Sequence, residues 1–318
     1  MTPGQRVTPC PSVSPIPGSI ADMDHKDTTR TPAGSLGALM TPWLMLAPFL
    51  LAFLLFFVIP ALQTLQLSFT DSGLTETHGY VGLANYVELL QDPSFWDSLL
   101  QTAYFALLTV VPLTALGLVM AMLINRLTRF AGLVQAIFFI PNILPIAVMA
   151  MIGGWMLHPT FGVVNLIAGT EIAWFNDPDF AMPMVAMATI WWTVGFNVLL
   201  FLAALKNIPQ DLYEAARLDG ASEWGIFRYI TWRQLRPVTV MVFGLQLVAS
   251  LKIFGQTYLL TGGGPFDSTK VVLHYMYETG FVNQNAGYAS AIAVVFVLIV
   301  LLILVLQSLA NRFINRRG

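Results

Sequence analysis

The chain alternates long apolar runs with short polar segments, and the length of the runs sets the architecture. Six runs fall at 43–66, 98–125, 133–157, 182–205, 237–260 and 288–311. Each is close to the ~20 residues that an α-helix needs to cross a bilayer. Only helices and closed barrels satisfy their backbone groups in hydrocarbon, so this pattern predicts an all-α integral membrane fold with six transmembrane helices. In the third run Pro141 and Pro145 stand four residues apart. Each lacks an amide donor, so the helix should bend or break there. Residues 1–41 are rich in Pro, Ser, Thr and Gly and are expected to form a disordered tail ahead of a domain at 42–318. The first run begins too deep, and is too long, for a cleaved signal, and is read as a retained helix.

Charge then orients the helices. Only 10% of the 318 residues are charged and 56% are hydrophobic, with a mean hydropathy of +0.71, so water is the wrong solvent for most of the surface. The connections 67–97 and 158–181 contain acids but no Lys or Arg, and 261–287 contains Lys270 alone. Thirteen of the fifteen basic residues fall on the other side, in the tail, at Arg126 and Arg129, in 206–236 and after 311. By the positive-inside rule both termini and the 206–236 segment are cytoplasmic. No basic patch is large enough to propose nucleic acid. The single cysteine, Cys10, excludes an internal disulfide and any cysteine-based metal cluster.

Two outer connections carry features of their own. Residues 80–90 read as a short amphipathic segment, and Leu260-Thr261-Gly262-Gly263-Gly264-Pro265 as a tight turn in which glycine permits positive φ. A phosphate cradle would need a lysine and a helix start after the glycines, and Pro265-Phe266 follow instead.

No enzyme constellation stands out. The four histidines are scattered, with no HExxH, and there is no GxSxG. No lysine follows a glycine, so this chain has no P-loop and holds no ATP through one. The six spans contain no acid, which argues against proton or sodium coupling, and Lys252 is their only charge. Lys252 either snorkels outward or faces a wet cavity. Uncharged polar groups in the spans suit a neutral polyhydroxyl ligand: Asn142 between the prolines, Trp191, Trp192 and Asn197 in span four, and Gln246, Ser250, Gln256 and Thr257 in span five. Gln246, Ser250 and Thr257 fall close to one helical face. Helix–helix hydrogen bonding and interfacial tryptophan are the competing readings.

The segment Asp211–Pro237 is polar and rich in charge inside this apolar chain. Pro209 and Asp211 suit a helix start and Gly220 a helix stop. Ser222 suits the N-cap of a second helix bearing Trp224, Phe227 and Ile230. The first helix, roughly 14 Å long, cannot span a membrane. It reads either as a docking elbow, with the Ala215-Ala216 pair leaving a slim surface, or as a connector lying on the membrane.

Glu214-Ala215-Ala216-Arg217-Leu218-Asp219-Gly220-Ala221, followed by Ile230 and Pro237, resembles the EAA motif of permease subunits of bacterial ABC importers. Trp232-Arg233 stands where that family usually has Leu-Pro. Val81-Gly82-Leu83-Ala84-Asn85-Tyr86, Phe254 to Pro265 and Gly287 to Ala291 are similar to segments of the sugar and glycerol-phosphate branch. The resemblance covers about 43–311. It implies a type I importer permease fold in the bacterial plasma membrane, among membrane lipid. It also implies a second related permease, two cytoplasmic ATPase subunits holding ATP and Mg, and an extracytoplasmic binding protein that delivers solute. In it, Leu212, Glu214, Ala215, Ala216, Asp219 and Gly220 would form the coupling helix, with Glu214 pairing to a basic group on the ATPase and Gly220 allowing the turn. The expected cargo is a sugar or related polyol. A glycerol-phosphate importer is the alternative within the class, with Lys252 as its one candidate cation. A stand-alone carrier or channel is the alternative outside it.

Overall fold

The computed structural model describes residues 36–316. Most of the expected tail lies outside these residues, and helix α1 already begins at Leu36 (Leu36–Phe53). A wide turn at Leu54–Val58 follows, then α2 (Ile59–Leu67). The hydrophobic window within 42–67 has no buried residue. The chain divides at 58/59 into two units, and the second contains everything below.

Among the described residues five helices are long and apolar enough to cross a membrane, and a sixth span is a bent pair. After α2 comes a short antiparallel hairpin, β1 (Thr70–Ser72) with β2 (Thr77–Tyr80), a local addition to the helical fold. Helix α3 (Ala84–Gln91) realises the amphipathic segment. Its Asn85 amide donates to the carbonyls of Ser68 and Thr70, both at 3.0 Å, and the Tyr86 hydroxyl bonds Ser68 Oγ at 2.7 Å. The Asn-Tyr pair therefore pins the hairpin base, and Gly82, at φ 62°, makes the turn into it.

Helices α4 (Pro93–Asn125) and α8 (Pro178–Lys206) form the central pair. Asp92 and Asp177 cap them by accepting the amides of Ser94 and Asp179, each at 2.9 Å. The pair approaches closely at Gly117, where a Cβ would lie 2.7 Å from the Asn197 Cβ. Leu113, Val198, Phe201 and Val242 belong to the core between these helices and α11 (see below). Between α4 and α8 the chain forms α5 (Ala131–Ile143), α6 (Ile146–Met156) and the short α7 (Val163–Ala168). Helices α5 and α6 meet at 104°. Leu144 is extended and Pro145 starts the second half, as the two prolines predict.

Span five differs from the expected 237–260. After the elbow helix α9 (Gln210–Leu218), α10 (Glu223–Ile226) runs through a wide turn at Phe227–Thr231 into α11 (Trp232–Leu251). The span is thus one helical stretch, Glu223–Leu251, entered fourteen residues early and passing through Pro237. It stops at Lys252, which is the terminating residue and not a mid-span one. Helix α12 (Gly255–Thr261) then starts afresh and packs on α6 and α8. The chain closes with α13 (Val272–Tyr277), a wide turn at Glu278–Val282 and the long α14 (Ala286–Arg316).

Candidate docking elbow and translocation site

The elbow is built from local chemistry. Asp211 lies in the first turn of α9 and Arg217 in the last, each complementing the helix dipole. Gly220 takes φ +74°, which lets its own amide reach the Arg217 carbonyl at 3.1 Å and the Ala221 amide reach the Ala216 carbonyl at 2.9 Å. This left-handed closure satisfies the last carbonyls and reverses the chain. Ser222 Oγ then accepts the Gly225 amide at 3.2 Å and starts α10.

One face of α9 rests on its own chain. Tyr213 bonds the Thr231 hydroxyl at 3.2 Å, and Ala216 is half-buried. The other face carries Leu212, Ala215 and Leu218 and is exposed, Leu218 by 89%. Glu214, Asp219 and Gly220 are exposed as well. Beside the helix a cleft of about 490 Å³ is lined by Arg126, Tyr213, Glu214, Arg217 and Glu223. Its Arg126–Glu223 contact, at 3.5 Å between two largely exposed side chains, contributes little.

The polar residues of the spans divide into two groups. Asn197 is fully buried; its amide donates to the Leu113 carbonyl at 3.3 Å, and its oxygen accepts from Gln246 Nε2 at 2.7 Å. Ser250 bonds Thr109 at 2.8 Å, also buried. Thr257 donates to the carbonyl of Phe254, the N-cap residue of α12 (2.9 Å). Thr257 does not continue the Gln246–Ser250 face, because the helix breaks between them. These four are held in protein hydrogen bonds that tie α4, α8 and α11 together or close the break.

The second group gathers where helices are interrupted. Asn142 is in the last turn of α5, and Trp192 Nε1 donates to the Leu144 carbonyl at the first break (3.1 Å). Trp191 is beside it, 40% exposed. Lys252 is exposed at the second break and Gln256 is half-buried in the first turn of α12. The two breaks come close in space: a Cβ on Gly255 would lie 2.6 Å from Ile146 Cδ1, the first residue of α6. Irregular backbone at membrane depth persists where it is buried in protein or lines a cavity. Sequence reasoning missed the second break, Thr109 and the Gly255–Ile146 contact; the small Gly255 is their one signal.

At the opposite end from the elbow, Asp92 accepts the hydroxyls of Tyr275 and Tyr288, the latter at 2.7 Å. Burial pushes the Asp92 carboxyl up, but these bonds and the amides of Ser94 and Phe95 outweigh it, and the group titrates below its usual 3.8. Burial, then the bond to Asp92, pushes Tyr275 up to about 12. The Gly-rich segment is a structural turn: Gly262 and Gly263 have φ of 60° and 87°, and the Gly263 carbonyl accepts the Thr269 amide at 3.1 Å. Burial pushes Lys270 down, but its bonds to Asp267 (2.7 Å) and Glu278 (2.9 Å) prevail and raise it. Among the described residues no group of His, Cys, Asp and Glu has the arrangement of a metal site.

Comparison with known proteins agrees with this architecture. The family described as "Binding-protein-dependent transport system inner membrane component" matches residues 113–317. A probable ABC transporter permease of Pyrococcus horikoshii is 36% identical over 82% of this chain and 91% of its own length. The sulfoquinovosyl glycerol transport permease of Agrobacterium fabrum is 34% identical over 82% and 86%. The crystal structure of a bacterial alginate ABC transporter, in complex with a periplasmic protein bound to alginate pentasaccharide, contains a chain of 25% identity. It aligns with a TM-score of 0.78 over 88% of this chain and 98% of that one. With its multi-pass apolar helices, its broken third span and these relatives, the chain belongs to the binding-protein-dependent transport system inner membrane component family and is an inner-membrane ABC transporter permease.

Proposed function

We propose that this chain is one of two related permeases in an ATP-driven importer, and that it passes a sugar or polyol delivered by an extracytoplasmic binding protein. The carrying observation is the uncovered Leu212–Ala215–Leu218 face of α9, an apolar stripe on a short polar helix that its own chain leaves free. Such a helix fits a groove on a second protein. The charge asymmetry supports a cytoplasmic elbow, where a partner ATPase holding ATP and Mg²⁺ would receive it. The chain's own lack of a P-loop supports this division of labour. Carbohydrate cargo is supported by the sulfoquinovosyl glycerol and alginate transporters among its relatives.

The elbow is continuous with span five. Closure of the ATPases would displace α9, and the displacement would pass through the unbroken stretch Glu223–Leu251 to the junction at Lys252. Its 29 residues reach about 43 Å at the α-helical rise. Solute would then meet the groups at the two breaks, Asn142, Trp191, Trp192, Lys252 and Gln256. Discontinuous helices commonly provide the midplane sites of transporters. Asn197, Gln246, Ser250 and Thr257 would hold the frame around them.

The test is a cysteine at Ala215, on the free face. In the assembled transporter Ala215→Cys should crosslink to the ATPase subunit and resist maleimide. Full maleimide labelling in the complex defeats the docking reading. Glu214→Ala and Gly220→Val should each abolish uptake while leaving membrane insertion intact, since a β-branched residue at φ +74° is strongly disfavoured.

A further inference from the structure

We propose that a groove between α11 and α14 is a binding site for the headgroup and glycerol region of one anionic phospholipid. The groove has a volume of about 340 Å³. On α14 it is lined by Leu304, Gln307, Ser308, Asn311 and Arg312. These positions are spaced three and four apart and so form one stripe of the helix. The stripe is graded: apolar at Leu304, amide and hydroxyl in the middle, guanidinium at the end of the span. Eight residues separate Leu304 from Arg312, about 12 Å along the axis, the depth from the phosphate layer to the upper acyl chain. The α11 wall, Val240, Met241 and Gly244, is apolar over the same depth.

Glycine at 244 makes the groove. A Cβ there would lie 2.8 Å from Gln307 Nε2, so the amide lies over bare backbone. Among the described residues Gln307, Ser308, Asn311 and Arg312 have no side-chain hydrogen bond or ion pair. Amides left unpaired toward hydrocarbon are costly. A phospholipid answers each of them, with ester and glycerol oxygens for Gln307, Ser308 and Asn311 and a phosphate for Arg312. The flanking residues of α14, Leu301, Leu302, Val305 and Leu306, are exposed and apolar, as expected for helix surface beside acyl chains. The one guanidinium lining the groove, Arg312 at its polar end, suits an anionic headgroup.

The experiment uses the whole transporter complex, purified in neutral detergent and depleted of lipid. Phosphatidylglycerol or phosphatidylcholine is added back, and bound lipid is counted by native mass spectrometry. Wild type should retain phosphatidylglycerol in preference to phosphatidylcholine. Arg312→Gln should weaken phosphatidylglycerol about fivefold, the effect of one basic residue near an anionic lipid. Gln307→Leu, which keeps the volume and removes the amide, should weaken both lipids. Equal retention of the two lipids by wild type overturns the proposal, as does unchanged retention by both variants. Efficient disulfide capture of Ser308→Cys by the second permease also overturns it, since a partner helix would then fill the groove.

Discussion

Replacing Gly195 by alanine should damage this protein far more than replacing Gly154. A Cβ on Gly195 would sit 2.0 Å from the Phe138 carbonyl oxygen, 2.6 Å from its carbonyl carbon and 2.8 Å from Phe139 Cα. All three are backbone atoms, so no rotamer change relieves the contact. Restoring an ordinary separation of 3.4 Å requires α5 and α8 to part by roughly 1.4 Å, at a typical overpacking cost of about 1–3 kcal/mol. Part of that is offset by the better helix propensity of alanine, about 1 kcal/mol. Gly154 is the internal control: it is helical, and a Cβ there meets nothing within 4 Å, so only the propensity gain remains. Thermal unfolding of the purified complex should therefore rank Gly195→Ala below wild type and Gly154→Ala at or above it. Uptake should fall in the first alone, because α5 carries Asn142 and α8 carries Trp192. Equal stability of the two variants would mean that α5 and α8 are not in backbone contact, and the seating of the broken third span would have to be rebuilt.

Two further expectations concern stability. Asp92→Asn removes the charge that accepts two tyrosine hydroxyls and caps α4; after discounting for solvent the loss should be about 2 kcal/mol at neutral pH. The folded-state carboxyl titrates below 3.8, so its contribution is full above that pH and vanishes as pH falls through the lowered value. Wild type and variant should converge in acid denaturation once pH falls below the lowered carboxyl value, and a gap that persists there would assign the effect to packing. For the buried pair Asn197–Gln246, a double-mutant cycle with leucine at each position should give a coupling near 0.6 kcal/mol and no more than about 1.7. Additive losses would show that the 2.7 Å bond contributes nothing to holding α8 to α11.

The parts of the structure that were legible in the sequence are those made by neighbours in the chain. Pro141 and Pro145 announce the first break because each acts on its own turn. Pro209, Asp211, Gly220 and Ser222 announce the elbow for the same reason. The break at Lys252–Phe254 has only the small Gly255 to mark it. Apolar residues continue through Ile253, Phe254, Leu259 and Leu260, and hydropathy does not register a change of axis. The early entry of span five at Glu223 was hidden by the reverse effect, since charges on a protruding helix read as a connector. Asn197 and Gln246 were visible as polar residues in spans, but they are 49 positions apart. Only packing decides whether two such amides meet each other or a ligand.

That pairing changes which parts of the molecule can move. Gln246 and Ser250 lie one turn apart on α11; the first is bonded to α8 through Asn197 and the second to α4 through Thr109. Asn197 in turn holds the Leu113 carbonyl of α4. Three spans are thereby linked at two levels, and all of these groups are buried. The elbow connects the ends of two of them, α8 and the α10–α11 stretch, and Tyr213–Thr231 ties it to the latter. A pull on α9 therefore acts on α4, α8 and α11 as a body and cannot slide α11 alone without breaking buried bonds. Motion is left to the two places where the helix is interrupted, Leu144–Pro145 and Lys252–Phe254, where α6 and α12 begin. Those segments touch through Gly255 and Ile146, so reorienting either half must reposition the other. On the proposed reading, the residues beside solute are those at the breaks, and the residues that transmit force are the buried amides and hydroxyls that first resembled a sugar site.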